Sequence, residues 1–323
     1  MKAALCKSLD GPEAVVVEEI ADPVAGPGEA VVRVRAAALN FFDTLITRGK
    51  YQTKPELPFS PSGEVAGVVE SFGAGVTGLK VGDRVAAAVG YGGAREKVVV
   101  PAASLIPIPD GVSDEVASGV SVTFGTAIHG LKDRGHVEPG ETVAVLGASG
   151  GAGQAAVEIA KLLGARVIAA ASGDKRDICM AAGADEFVDY DTADLKETLK
   201  SLTGGRGVDV VYDCVGGKYA EPAVRALAWE GRFLVVGFAA GDIPKIPLNL
   251  LMLKGAEAVG VFWGEAVRRH PERHRANMIE VLRWVAEGKL APRIHGTFPL
   301  AEIRDAIGVL DRREATGKVV ITL

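Results

Sequence analysis

The chain has 323 residues, 48% apolar and 24% charged, with a formal net charge of -5. That balance fits a folded protein with a sizeable core and disfavours a nucleic-acid binder. No apolar run reaches the length of a membrane-spanning helix. The three cysteines, Cys6, Cys179 and Cys214, share no close spacing and read as reduced thiols of a cytosolic (cytoplasmic) protein. The opening "MKAALCKSLDGPE" lacks the long apolar run of a signal peptide.

Up to about residue 120 the pattern is that of strands. "AVVVEEI", "EAVVRVRAAAL", "GEVAGVVESFG" and "KVGDRVAAAV" are short, valine-rich and separated by Gly, Pro and Asp, which suits an all-β barrel or sandwich. Ser113, followed by Glu115 and Val116, marks a helix start. From 121 the rhythm changes. Strands at Thr142–Leu146, Arg166–Ala171, Glu186–Val188, Val208–Cys214, Arg232–Val236 and Ala256–Phe262 alternate with helical segments that include "GAGQAAVEIAKLLG" and "AEPAVRALAWEG". Six strands separated by helices imply a parallel sheet covered on both faces, so the fold class is α/β. After 264 come the amphipathic helix "ANMIEVLRWVAEG", a second helix and the strand "KVVITL". The six-strand sheet is already complete, so residues 264–323 are expected to return to the domain formed by 1–120, leaving 121–263 as the α/β domain.

Thr142–Leu146 runs directly into "GASGGAG" and then a helix. In that context the G-x-G-x-x-G positions fall on Ala148, Gly150 and Gly153. Ala148 is expected to make the tight turn, Gly150 to let a pyrophosphate approach, and Gly153 to let the helix pack on the strand. The N–H groups of the first helical turn, from Ser149 and Gly150 through Gly151, Ala152 and Gly153, would face the phosphates. The second strand of this set, "RVIAAA", ends without an acid for the ribose. Ser172, Lys175 and Arg176 at that tip suit a 2′-phosphate, pointing to NADPH. A charge-assisted hydrogen bond is worth about 1.5–3 kcal/mol, so each of the two cations would favour NADPH over NADH by about tens- to hundreds-fold. Asp174 suits the first turn of the helix "DKRDICMAAG" better than a ribose.

With "AAALNFFDTLITRGKY", "SGEVAGVVESFGAGVTGLKVGDRV" and "ASLIPIPDGVSDEVA" preceding "GASGGAGQAAVEIAKLLGARVIA", the chain resembles the medium-chain dehydrogenase/reductase superfamily, in its zinc-free, zeta-crystallin-like quinone oxidoreductase branch. The resemblance covers essentially the whole chain. It implies a GroES-like β-barrel domain joined to a Rossmann doubly wound parallel sheet, with the active site in the cleft between them. Zinc alcohol dehydrogenases of the superfamily have a cysteine where this chain has Asn40–Asp43 and a His-Glu pair where it has Ser62–Glu64. "PSGE" contains no histidine, and no metal site is expected.

The resemblance places "NFFDTL" at the nicotinamide side, with Asn40 and Asp43 as the catalytic candidates and Phe41 beside the cofactor. Thr126 and His129 would approach the nicotinamide, and Tyr190 would flank the 2′-phosphate. Gly237, Phe238 and Phe262 follow the fifth and sixth strands, where ligands are expected. Lys318 would reach the phosphate side, and Leu45, Tyr51 and Trp263 would shape the substrate pocket. The function implied is zinc-independent hydride transfer from NADPH to a quinone or an α,β-unsaturated carbonyl. Alternatives are an enoyl-CoA-type reductase, with "RRHPERHR" gripping the CoA phosphates, and an NADPH-binding protein acting by interaction with RNA. The sixth strand, "EAVGVF", would sit at an exposed sheet edge, and the resemblance implies that it pairs across a two-fold axis, so a homodimer is expected.

Overall fold

The computed structural model describes residues 1–323 and contains fifteen strands. Seven precede residue 122: β1 (Lys2–Cys6), β2 (Val15–Glu19), β3 (Glu29–Leu39), β4 (Glu64–Phe72), β5 (Arg84–Ala88), β6 (Lys97–Pro101) and β7 (Ile106–Pro107). Six follow in the middle of the chain: β8 (Thr142–Leu146), β9 (Arg166–Ala171), β10 (Glu186–Asp189), β11 (Val208–Asp213), β12 (Leu227–Val235) and β13 (Glu257–Gly260). The last two are β14 (Ile294–Pro299) and β15 (Lys318–Thr322). The chain divides into two units, Met1–Val122 with His270–Leu323, and Thr123–Arg269. The helix Trp263–Arg269 therefore groups with the second unit, where the sequence suggested a boundary at 264.

The first unit is organised by β3. Along "VRVRA" the side chains alternate, with Arg33 and Arg35 exposed between buried Val32, Val34 and Ala36. From Ala36 to Leu39 every residue is small or aliphatic and buried. One edge of β3 carries β4 along its length, while the other carries β6 opposite residues 29–33 and then β15 opposite 36–39. Register shifts against β4 at Val31/Val32 and Val34/Ala36 bend the strand, so one strand serves three partners. The carboxyl-terminal segment closes the unit, with β14 parallel to β15 and β15 antiparallel to β3. Ser113 caps the helix Asp114–Ser118, its hydroxyl accepting from the Val116 N–H at 3.2 Å.

The second unit is a six-stranded parallel sheet in the order β10-β9-β8-β11-β12-β13. β8 is buried at all five positions, as a strand covered on both faces must be. Strand order reverses between β8 and β11, which is the topological switch point of a doubly wound sheet. One expected helix is shorter than "AEPAVRALAWEG" suggests. It ends at Arg225, and Leu227 begins β12. Ala and Leu favour a helix locally, but Leu227 pairs with Val208, and the chain bulges through Glu230 (φ 58°) before Arg232 pairs with Val210. "DKRDICMAAG" is also divided, into a 3-10 turn at Gly173–Lys175 and a helix at Arg176–Ala181 whose start has no side-chain cap, so Asp174 does not cap it.

Candidate active site

In the first unit, β3 delivers Asn40 to the start of the short helix Phe41–Ile46. Asn40 is 7% exposed, and its amide is held between two charges. Its Nδ2 donates to Glu64 Oε1 at 2.9 Å, and its Oδ1 accepts from Lys318 Nζ at 2.6 Å. Lys318 Nζ also donates to Glu64 Oε1 at 2.7 Å and to the Leu39 carbonyl at 3.1 Å. Glu64 Oε2 accepts from the Val122 N–H at 2.7 Å. Lys318 is thus buried, with an acceptor for each of its three N–H bonds. It cannot reach a phosphate as expected, because leaving this pocket would strand the buried Glu64 carboxylate.

Asp43 is also not a reacting group. It is fully buried and accepts from the Asn40 N–H and the Ser62 N–H, both at 2.8 Å. The first contact anchors the helix start; the second ties it to the "PSGE" turn. Its role is to position Asn40. Burial pushes the Asp43 carboxyl up to about 7, against the pull of the two backbone donors and Lys318. A carboxyl raised in the folded state stabilises the fold fully below its unfolded value near 3.8, and that contribution is lost as pH rises through about 7. Wild type should therefore gain on Asp43→Asn by about 2–3 kcal/mol in urea unfolding between about pH 8 and about pH 5. An equal difference at the two pH values would remove Asp43 as the source.

Around this network, Phe42 and Tyr51 stack with centroids 5.3 Å apart, while Phe41 and Leu45 are half-buried. The Tyr51 hydroxyl is pushed up by burial and by the nearby Asp43 charge.

In the second unit, the glycine loop leaves the carboxyl end of β8. The left-handed turn falls on Gly147 (φ 74°), one residue before the expected Ala148. Gly150 then precedes the helix Gly151–Leu162, whose first-turn N–H groups are those of Gly151, Ala152 and Gly153. A Cβ on Gly153 would lie 2.1 Å from the Gly147 carbonyl oxygen, so this glycine is required for helix and strand to meet. A Cβ on Gly150 would meet nothing nearer than 3.6 Å, leaving backbone open to a ligand. Ser149 is almost buried, and its carbonyl accepts from Gln154 Nε2 at 2.6 Å. This cradle of free amides at a helix N-terminus fits a pyrophosphate.

Ser172, at the end of β9, precedes the turn carrying Lys175, and the Arg176 guanidinium lies over the Phe187 ring. Tyr190 packs on Tyr219, centroids 4.2 Å apart, with Lys218 on the Tyr219 ring and the Tyr219 hydroxyl donating to Asp191 at 2.5 Å. Tyr219 escaped the sequence reading; its signal was an aromatic two residues past the "GG" that follows β11. Asp189 puts a carboxylate beside Gly173, where it opposes an incoming phosphate.

Helix Val120–Ile128 carries Thr126 and passes into a π-helical turn at His129–Arg134. His129 is buried with its Nδ1 3.1 Å from Asp133, so only Nε2 is left for a ligand. Trp263 follows β13 and seats its indole on Gly125, where a Cβ would come within 2.8 Å of Nε1. Gly237 is half-buried, Phe238 is 39% exposed and Phe262 is 60% exposed. A further organiser of this strand end is Asp213, buried and accepting from Val215 N and Gly216 N at 2.8 and 2.9 Å.

No three His, Cys, Asp or Glu side chains come together in a metal-binding arrangement. Around Asn40 the donor set does not fit zinc: it offers no imidazole or thiolate, and an ammonium already neutralises Glu64. Arg268 and Arg269, the start of "RRHPERHR", are exposed and both pair with Glu265.

A doubly wound sheet with a phosphate-type glycine loop at its switch point, in one chain with a GroES-like β domain, defines a two-domain oxidoreductase. Family models agree: that of the alcohol dehydrogenase GroES-like domain matches residues 26–110, and that of the zinc-binding dehydrogenases matches 151–287. Quinone oxidoreductase-like protein 2 of Bos taurus is 39% identical over 324 residues, covering 100% of this chain and 92% of that protein. A mycobacterial protein solved in complex with NADPH superposes with a TM-score of 0.92 at 30% identity over 100% of both chains. A mycocerosic acid synthase-like polyketide synthase of Mycobacterium tuberculosis is 35% identical over 299 residues, 92% of this chain and 14% of that synthase. The chain belongs to the quinone oxidoreductase branch of the medium-chain dehydrogenase/reductase superfamily.

Proposed function

We propose that this protein is an NADPH-dependent, zinc-independent reductase of quinones or α,β-unsaturated carbonyls. The observation that carries the reading is the Asn40 site. Where zinc-using relatives put metal ligands, a buried amide stands between a lysine and a glutamate. Such a site offers a hydrogen-bond donor but no Lewis acid. It suits acceptors that are already electrophilic and gives little help to alcohol oxidation.

Gly150, Gly151, Ala152 and Gly153 would hold the pyrophosphate, and Ser172, Lys175 and Tyr190 the 2′-phosphate end. When bound, reduced nicotinamide supplies a hydride. As a hydride adds to the β-carbon of an enone, or to a quinone, the displaced π electrons move onto the acceptor's oxygen, and Asn40 Nδ2 would donate to the negative charge that develops there. Solvent then protonates the enolate. We assign Thr126 and His129 to the nicotinamide, and Leu45, Tyr51 and Trp263 to the acceptor. NADPH is favoured by Lys175 and by likeness to the NADPH-bound mycobacterial protein, with Asp189 reducing the margin.

The test is a comparison of initial rates with a 1,4-quinone, a 2-alkenal, crotonyl-CoA and ethanol, each with NADPH or NADP⁺ and with NADH or NAD⁺. The quinone or alkenal with NADPH should be fastest and unaffected by chelator, and ethanol slowest. Chelator-sensitive ethanol oxidation as the dominant activity would overturn the reading. The thioester alternative draws on the polyketide synthase likeness, but Arg268 and Arg269 are already committed to Glu265. A net charge of -5 gives an RNA-binding role no support.

β13 is the last strand of its sheet, and Trp229, Leu248, Met252, Leu253 and Phe262 of the same unit are exposed by 60–78%. A second copy pairing along this edge would cover them. Light scattering should give twice the 33.5 kDa chain mass; a monomer contradicts this. The three free cysteines favour a reducing compartment, so we assign the enzyme to the cytoplasm.

A further inference from the structure

We propose that Lys318 and Glu64 form a positioning pair that fixes the orientation of the Asn40 amide, so that its unshared Nδ2 hydrogen is the one presented to the acceptor. This rests on the reading of Asn40 as the hydrogen-bond donor.

An asparagine amide has two ends of nearly equal size and opposite chemistry, and packing alone distinguishes them poorly. Here the ends meet partners that admit one orientation. Lys318 has only donors, and it meets Oδ1 at 2.6 Å. An ionised Glu64 has only acceptors, and it meets Nδ2 at 2.9 Å. Turning the amide over would set NH₂ against an ammonium and a carbonyl oxygen against a carboxylate. Both contacts would be repulsive, and neither is screened, because the lysine and glutamate side chains are 5% and 0% exposed.

The clamp is itself held. Lys318 sits on β15 one residue before Val319, which pairs with Leu39, so the strand register delivers its ammonium to the residue ending β3. Its stem lies against Gly119, where a Cβ would come within 3.0 Å of it. Glu64 Oε2 is tied to the Val122 N–H, which keeps the carboxylate from rotating away. Asn40 has two Nδ2 hydrogens, and one is used by Glu64. The other has no acceptor in the protein, and Asn40 keeps 7% exposure through which to offer it. The nearby buried carboxylate, Asp43, holds the Asn40 backbone instead and leaves the amide to the pair.

The test is a kinetic cycle on the full-length enzyme. Lys318→Met and Glu64→Gln are made together, so that no buried charge is left alone. The double change is introduced into wild type and into Asn40→Ala. For each protein, kcat and KM with a 1,4-quinone are measured, along with NADPH affinity by nucleotide fluorescence and the melting temperature. In wild type the double change should lower kcat about tenfold with NADPH affinity unchanged; in Asn40→Ala it should lower kcat no further. An equal loss in both backgrounds, or no loss in wild type while Asn40→Ala is impaired, overturns the positioning role. If Asn40→Ala itself keeps full kcat, it is the reading of Asn40 as donor that falls. Should the double variant fail to fold, Lys318→Gln with Glu64→Gln, which also leaves no buried charge and keeps a polar side chain at both positions, is judged by the same two comparisons.

Discussion

Replacing Gly150 by alanine should leave the melting temperature of the free protein unchanged and weaken NADPH binding by at least about tenfold, or about 1.4 kcal/mol. The two halves of that result have separate physical origins. Gly150 has φ -80° and ψ 166°, an extended conformation open to any residue, and an added Cβ would meet nothing nearer than 3.6 Å. The fold therefore does not need a glycine there. A bound pyrophosphate does, because the phosphate oxygens must approach the backbone within hydrogen-bond distance. Gly153→Ala is the contrasting control. Its Cβ would sit 2.1 Å from the Gly147 oxygen and 2.6 Å from the Ala148 Cα, both backbone atoms that cannot step aside. That variant should lose about 1–3 kcal/mol of stability or more even without nucleotide. A Gly150→Ala protein that binds NADPH normally would show that the loop does not hold the pyrophosphate.

Asn40→Ala should lower kcat about a hundredfold while NADPH affinity stays the same. A preorganised donor aimed at developing negative charge is worth about 2.7–4 kcal/mol in comparable sites. The substitution is a fair probe, because Lys318 and Glu64 keep their mutual 2.7 Å contact and neither buried charge is orphaned. A variant with unchanged kcat and raised KM would assign Asn40 to binding alone.

How much of this was legible in the sequence depends on how local each feature is. The glycine loop was readable because strand, turn and helix are contiguous, and β8 and β9 run between the residues expected. Even there the turn residue was displaced, since Gly147 rather than Ala148 takes the positive φ. The strand in "ALAWEG" was hidden because its decisive partner is Val208 on a parallel neighbour, and alanine and leucine read alone as helix. Lys318 was the least readable. Its contact with Asn40 spans 278 positions and that with Glu64 spans 254, and no local pattern tells a solvated lysine near the chain end from a buried one. Asp43 was visible as a polar residue in the right segment, but its burial depends on the turn that brings Ser62 N to it.

Hydride delivery from NADPH to a conjugated acceptor is measured most directly by the fate of a label. NADPH carrying deuterium at C4 of the nicotinamide, turned over with a 2-alkenal in the presence of chelator, should give a saturated aldehyde with deuterium at its β-carbon. Deuterium at the carbinol carbon of an allylic alcohol, or turnover abolished by the chelator, would contradict hydride delivery to the conjugated position.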